Sequence, residues 1–131
     1  MKLKRIIIDF IPIEKMRWNG LGDYYEMDGN GVKQIFVADT GNELYNRLIA
    51  QHELTEDTLL VAHSISVKTI DDYCDKVFAE GGEPDSCNPE SPIHREHCFA
   101  DSIERLTAIE CGISQKKYDD DIEEYIRKEL P

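Results

Sequence analysis

The hydrophobic pattern of this chain changes its period close to residue 40. Before that point, apolar residues lie in short β-branched and aromatic runs, which predict strands at 3–11, 23–27 and 32–39. The stretch DGNG at 28–31 predicts a tight hairpin turn between the last two strands. After residue 40, apolar residues recur every three or four positions, which predicts helices. We therefore expect an α+β fold, with a small, mostly antiparallel sheet of about three strands followed by about four helices.

Local signals predict where the helices begin and end. The expected starts, in chain order, are Thr40 with Glu43, Thr69 with Asp72, Ser91 with Pro92, and Ser114. The first helix would run to about His63, and Gly112 would end the third. The connection at 81–92 is rich in Gly, Pro, Asp and Ser, and connections of this length often have a function.

Length and charge limit the classes of protein that this chain can represent. Its 131 residues suffice for one domain spanning 1–131. The 27 acidic and 15 basic residues give a net charge of −12. Phosphate-rich partners and anionic membranes require a basic surface, so the charge argues against a partner that is a nucleic acid or a membrane. It favours solubility and the binding of cations.

The cysteines and the N-terminal segment predict the cellular compartment. Four cysteines are widely spaced, without a C-x-x-C pair: Cys74, Cys87, Cys98 and Cys111. Asp9 and Pro12 interrupt the short apolar run near the N-terminus, so a signal peptide is not indicated. No stretch approaches the ~20 apolar residues of a membrane span. We expect a cytoplasmic protein with free thiols that are buried or half-buried.

The segment LIAQHELTEDTLLVAH at 48–63 places polar side chains on a helix face that should be buried. At ~100° per residue, His52, Glu56 and His63 fall in the stripe formed by the apolar residues. A buried, unpaired carboxylate is unfavourable, so Glu56 requires a cation or hydrogen-bond donors. Glu53 falls at the edge of the stripe. Two further carboxylates are expected to point away from it, Glu43 and Asp57.

The helix expected after Pro92 offers a matching face. Several residues share the stripe of His97, and most of them are small or apolar: Ile93, Ala100, Glu104, Ala108 and Cys111. Small residues allow a second helix to approach closely, which suits a site built between facing helices. Glu96 lies to one side of this stripe.

Two imidazoles and a carboxylate form a ligand set for a divalent metal ion. His52 and Glu56 from one helix and His97 from the other would supply three ligands, with a fourth position left for water. Zinc is the metal we expect, and manganese or iron are alternatives because further carboxylates are near. Glu53 would act as general base toward the water. Two carboxylates would support the ligands from outside, Glu96 and Glu104, and a second ion is the alternative role for Glu104.

The same residues also allow an interpretation without metal. His52 and His97 would then be core histidines, and Glu56 and Glu104 would pair with arginines chosen from Arg47, Arg95 and Arg105. The remaining histidines, His63 and His94, are weaker ligand candidates because they lie at helix ends.

Two segments resemble a family of small, uncharacterised bacterial and phage-associated proteins. LYNRLIAQHELTEDTLL carries the H-E-x-x-E helix of that family, and SPIHREHCFADSIE carries its P-x-x-x-E-H-x-x-A-x-x-I-E helix. The matching positions are His52, Glu53, Glu56, Pro92, Glu96, His97, Ala100, Ile103 and Glu104. The resemblance implies a shared site without naming a reaction.

The order of elements is also loosely similar to that of the zincins, metallopeptidases whose active-site helix carries H-E-x-x-H. Glu56 stands where a zincin has its second zinc histidine. One hypothesis is therefore a metal-dependent hydrolase, peptidase-like, acting on a small-molecule or peptide substrate. A second is a small acidic interaction protein, associated with phage or prophage, whose buried polar cluster only fixes how two helices dock. A third is a metal-binding domain without catalysis.

Overall fold

Three strands precede four helices in the computed structural model, which describes residues 2–18 and 20–130. The strands are β1 (Arg5–Ile11), β2 (Gly22–Tyr24) and β3 (Val32–Ala38), with a short 3-10 turn at Ile13–Lys15 after β1. The helices are α1 (Glu43–Ala62), α2 (Val67–Ala79), α3 (His94–Glu110) and α4 (Gln115–Glu129). This confirms the predicted α+β class and the order of its elements.

The sheet is mixed, whereas a mostly antiparallel sheet was predicted. Its strand order is β1-β3-β2, so β3 lies in the centre. β1 pairs with β3 in parallel from Arg5 opposite Val32 to Ile11 opposite Ala38. β2 pairs with β3 antiparallel over Gly22–Tyr24. The prediction was wrong here because the hairpin returns β3 between β1 and β2, where it runs in the direction of β1.

The hairpin between β2 and β3 forms where the DGNG stretch predicts it. The carboxylate of Asp28 accepts hydrogen bonds from the N–H groups of Asn30 and Val32. Gly31 adopts a φ of 74°, in the left-handed region that favours glycine. A Cβ atom at Gly31 would also lie 2.5 Å from the carbonyl oxygen of Lys2. The turn therefore requires glycine both for its backbone angle and for the close approach of the segment before β1.

Side-chain caps start three of the helices. Asn42, Ser66 and Ser114 each accept a hydrogen bond from the N–H group three residues ahead. The start predicted at Ser114 is confirmed. The start predicted at Thr40 was two residues too early, because Asn42 takes the capping position. The start predicted at Thr69 was three residues too late, because Ser66 takes the capping position.

The third helix begins later than predicted and ends where predicted. It starts at His94 rather than at Pro92, because the Ser91 hydroxyl accepts from the N–H group of Ile93 in a preceding turn. Gly112 follows the helix with a φ of 81°, which confirms it as the helix end.

Two apolar clusters lie along α1. One joins the sheet to α1 and α3 and contains the buried residues Ile35, Val37, Ile49, Leu60 and Ile93. The other joins α1, α3 and α4 through Tyr45, Leu48, Ala108 and Tyr118. His52 and Glu56 lie on α1 between Leu48 and Leu60, so both are surrounded by core. Among the described residues, no helix is both long and apolar enough to cross a membrane.

Candidate metal site between α1 and α3

The three predicted metal ligands meet at one point between α1 and α3. The Nε2 atom of His52 lies 2.9 Å from Glu56 Oε2, and the Nδ1 atom of His97 lies 2.9 Å from the same oxygen. The two nitrogen atoms are 3.1 Å apart. Two imidazoles and one carboxylate therefore form a triangle of potential ligand atoms, and this group can hold a metal ion.

The helix sequences explain why these side chains meet. His52 and Glu56 are four residues apart, so they project from the same side of α1. Ala100 is fully buried at 0% exposure, and its small side chain lets α3 approach α1 closely, as predicted. His52 and Glu56 are 6% and 4% exposed, whereas the His97 side chain keeps 21% of its surface. The site is therefore buried on the α1 side and open on the α3 side.

Protons alone cannot satisfy all three contacts of this triangle. If both imidazoles donate to Glu56 Oε2, the N–H groups of His52 and His97 lie side by side at 3.1 Å. If His52 donates to His97 instead, the lone pair of His97 Nδ1 faces the carboxylate at 2.9 Å. Ligands about 2.1 Å from one ion lie about 3.0–3.4 Å apart in octahedral or tetrahedral geometry. The sides of the triangle, 2.9, 2.9 and 3.1 Å, lie close to the octahedral end of this range, and a divalent ion would attract all three atoms.

The Glu56 carboxylate is held from its other side by the sheet. Tyr24 in β2 donates its hydroxyl hydrogen to Glu56 Oε1 at 2.8 Å. Burial alone would raise the pKa of Glu56, but hydrogen bonds from His52 and His97 outweigh it and lower the pKa to about 2. Glu56 is therefore a carboxylate at neutral pH. Sequence reasoning missed Tyr24, because nothing local indicates which helix residue a strand tyrosine will contact.

Glu104 supports the imidazole of His52. Its Oε1 atom lies 2.7 Å from His52 Nδ1, an ion-pair contact whose angles fall outside those of a hydrogen bond. Tyr118 in α4 donates to the other oxygen of Glu104 at 2.5 Å. Burial opposes the charged imidazolium of His52, but Glu104 and Glu56 outweigh it and raise its pKa to about 10. Glu104 thus contacts one of the two imidazoles of the triangle, and that imidazole is His52.

Glu53, the predicted general base, is buried next to His52 and Glu56. It is 8% exposed and borders the same cavity as His52 and Glu56. Burial and the negative charge of Glu56 raise the pKa of Glu53 well above its usual range. A Cβ atom on Gly22 in β2 would lie 2.2 Å from the carboxyl carbon of Glu53, so glycine at this position leaves the carboxyl where it is.

A cavity of about 380 Å³ opens beside the cluster. Its walls come from the four helices, from β2 and from the residues between Glu83 and Ser86. The connection at 81–92 thus reaches the site, as expected for a loop with a function. β2 supplies the strand wall. Trp18 also lines the cavity, and its ring stacks on Phe78 at 5.3 Å.

Glu96 does not support the cluster, contrary to prediction. Its Oε1 atom lies 3.1 Å from Nδ1 of His63, at the end of α1. Glu96 and His97 are consecutive residues of α3, so their side chains point ~100° apart around the helix and meet different partners. His63 therefore pairs with Glu96 and lies outside the triangle. His94 lies 3.3 Å from the carbonyl oxygen of Ser86 and is also outside the triangle.

A second group of potential ligands adjoins the first. Atoms of His52, Asp101 and Glu104 lie within 4.8 Å of one another. However, Asp101 accepts a hydrogen bond from Arg105 at 3.0 Å, and Glu104 accepts one from Tyr118. Since Arg105 already neutralises the charge of Asp101, the triangle of His52, Glu56 and His97 is the better metal site.

Two of the three candidate arginines pair with carboxylates other than Glu56 and Glu104. Arg47 pairs with Glu43, and Arg105 pairs with Asp101 and Asp119. The interpretation in which arginines hold Glu56 and Glu104 therefore fails for these two arginines.

Two further predictions concerning exposure were wrong. Asp57 was expected to point away from the core, but it is 8% exposed and pairs with Lys33 of β3 at 2.9 Å. This follows because α1 packs against the sheet as well as against α3.

All four cysteines are free as predicted, but only Cys74 is buried, while the other three are exposed: Cys87, Cys98 and Cys111.

Comparisons with protein-family models, with curated proteins and with solved structures give no significant match for this chain. The resemblances to phage-associated proteins and to zincins stay predictions. The function is therefore inferred from the geometry of the site.

Proposed function

We propose that this protein is a metal-dependent hydrolase whose ion is bound by His52, Glu56 and His97. The observation that carries the proposal is the triangle of two nitrogens and one oxygen, with sides of 2.9, 2.9 and 3.1 Å. Protons leave one of its contacts repulsive, whereas a divalent cation bound by the three atoms would attract each of them. Two imidazoles and one carboxylate suit zinc, and they also suit iron or manganese.

The residues around the triangle suit hydrolysis of a small-molecule or peptide substrate in the adjoining cavity. A bound divalent ion would lower the pKa of a water molecule and polarise the oxygen of a carbonyl group. Glu53 would accept the proton of the attacking water and return it to the leaving group. The positive charge of the ion would lower the pKa of Glu53, so the buried carboxyl would become a base only in the loaded protein.

Two tyrosines and Glu104 act as positioning residues. Tyr24 fixes the orientation of Glu56, while Tyr118 and Glu104 fix that of His52. A ligand whose second polar atom has a hydrogen-bond or ion-pair partner keeps its direction and basicity, which strengthens binding of the metal. The site is therefore held by the sheet on one side and by α4 on the other.

Metal analysis of protein purified without a nickel column tests the proposal. We expect about one zinc, iron or manganese ion per chain, lost in His52→Ala and His97→Ala and retained in the matched control His94→Ala. Glu53→Gln should keep the metal and lose turnover in a screen of esters, amides and peptides. Metal-free protein that does not take up these ions would refute the metal site. Metal-loaded Glu53→Gln with full turnover would refute the role of Glu53.

A structural role for the cluster is the second candidate, and one observation favours it. His52 contacts Glu56 of its own helix through one nitrogen and Glu104 of α3 through the other. A protonated imidazole would therefore link α1 to α3 without a metal ion. The protein would then be a small acidic interaction module, associated with phage or prophage and located in the cytoplasm. Stability that is unchanged by chelators and by added zinc would favour this candidate over the hydrolase or a non-catalytic metal-binding domain.

A further inference from the structure

Strand β1 forms an open edge of the sheet. It pairs with β3 on one side, and the described residues place no strand on its other side. Three large apolar side chains on or just before this strand remain exposed: Leu3 at 48%, Ile6 at 38% and Phe10 at 44%. A seven-residue edge strand without proline, bulge or inward-pointing charge is a ready template for another strand.

The backbone groups that β1 offers can be assigned from its pairing with β3. The N–H group of Arg5 donates to Gly31, and the carbonyl of Ile11 accepts from Asp39. Because alternate residues of a parallel strand bond to the same neighbour, the odd-numbered residues of β1 face β3. Ile6, Ile8 and Phe10 therefore direct their N–H and C=O groups outward, where a further strand can bond to them.

The sequence of β1 is complementary to itself when two copies run antiparallel. If the two-fold axis passes Ile7, Ile6 lies opposite Ile8 of the second copy and the outward backbone groups form hydrogen-bonded pairs. Arg5 then lies opposite Asp9 of the second copy. The backbones of these two residues do not bond to each other, and side chains come closest in pairs of this kind. Both charged side chains are exposed in the single chain.

The same pairing covers apolar surface. Ile8 lies opposite Ile35 in the sheet register, so Ile6, Ile8 and Phe10 face the helix side of the sheet. Ile35 is fully buried at 0% exposure, whereas Ile6 and Phe10 on the same face remain exposed at 38% and 44%. A second copy would place its own three side chains beside these and continue the apolar face across the axis.

We propose that two copies of this chain associate by antiparallel pairing of their β1 strands around Ile7. The backbone edge supplies the hydrogen bonds, and the two Arg5–Asp9 pairs select a second copy over an unrelated strand. This dimer joins two three-stranded sheets into one continuous sheet. It leaves the cavity beside α3 outside the interface, so the proposal does not depend on the metal site.

Sedimentation equilibrium with charge-reversal variants tests the pairing. We expect a concentration-dependent dimer for the natural sequence, and at least ~10-fold weaker association for Arg5→Asp or Asp9→Arg alone. The double variant Arg5→Asp/Asp9→Arg should restore association to within ~3-fold, because opposite charges face each other again. Circular dichroism establishes that each variant is folded. A monomer at all concentrations, or a dimer unaffected by single reversals, would overturn the proposal.

Cross-linking tests the register separately. With the exposed thiols Cys87, Cys98 and Cys111 changed to serine, Ile7→Cys should form a disulfide-linked dimer under mild oxidation, because each Ile7 faces its own copy. Ile6→Cys is the matched control, since its opposite residue is Ile8, and it should cross-link at least ~10-fold more slowly. Equal cross-linking at both positions, or cross-linking at neither, would overturn the proposed pairing.

Discussion

Tyr24 and Glu56 join the sheet to the candidate metal site by a hydrogen bond of 2.8 Å between the phenol and the carboxylate. Tyr24 is 4% exposed, and Glu56 is 4% exposed. The hydroxyl therefore satisfies one carboxylate oxygen in a buried place and leaves the other oxygen for His52 and His97. Through this contact, the short strand β2 fixes the orientation of the Glu56 carboxylate toward the two imidazoles.

Tyr24→Phe should weaken both stability and metal binding. Loss of the hydroxyl leaves a buried carboxylate oxygen without a donor, which should lower the free energy of unfolding of the metal-free protein by about 1–3 kcal/mol. Metal affinity should fall ~10-fold or more, because Glu56 loses its fixed direction. Urea denaturation and competition with a chelator measure the two effects. Tyr25→Phe is the control, and equal behaviour of both variants would contradict the assignment.

Gly22→Ala should displace Glu53 without removing the metal ligands. The new Cβ atom would lie 2.2 Å from the carboxyl carbon of Glu53, so the carboxyl must move. Since the end of a side chain can adjust, we expect a loss of stability of about 1–3 kcal/mol but a larger relative loss of turnover. Gly20→Ala is the matched control, because the nearest atom to its Cβ is 4.0 Å away. Unchanged turnover in metal-loaded Gly22→Ala would contradict the role proposed for Glu53.

Metal affinity should rise with pH. His52 binds a proton with a pKa raised from 6.5 to about 10, and that proton must leave before Nε2 can bind an ion. Zinc affinity should therefore increase up to ~10-fold per pH unit between about pH 7 and pH 9. Calorimetry in buffers of different ionisation enthalpy should detect about one proton released per ion. Binding that is independent of pH and of buffer would show that His52 is not a ligand.

The metal-free protein should lose stability in alkaline solution for the same reason. The folded-state pKa of His52 lies above its unfolded value, so its contribution to stability is complete below about pH 6.5. That contribution is lost as the pH rises through about 10. Urea denaturation at pH 6 and pH 9 measures the loss, and His52→Gln should reduce the difference between the two pH values. A pH dependence that is unchanged in this variant would assign the effect to another group.

Ala100→Leu should separate α3 from α1. Ala100 has no exposed surface, and a larger side chain must push the helices apart or strain the neighbouring residues. We expect a loss of about 1–3 kcal/mol in stability together with weaker metal binding, because His97 would withdraw from Glu56. Thermal denaturation and metal competition provide the measurement. Phe99→Leu on the exposed side of the same turn is the control, and it should leave metal binding unchanged.

Much of the candidate site was predictable from the sequence because it depends on helix periodicity. His52 and Glu56 are four residues apart in an apolar stripe, and the small side chain of Ala100 lies one turn from His97 on α3. The convergence of these three polar side chains could therefore be predicted. The hairpin at 28–31 and the start of α4 were predictable for a similar reason, since caps and tight turns depend on neighbouring residues. Local periodicity and local turn chemistry are properties of the sequence itself.

Only the tertiary structure decided which distant residues meet. The contacts of Tyr24 with Glu56 and of Lys33 with Asp57 depend on the position of the sheet under α1. The parallel pairing of β1 likewise depends on β3 entering between the two other strands. Such contacts form between elements that are far apart in the sequence, and their geometry depends on the packing of whole elements, which a periodic pattern does not encode.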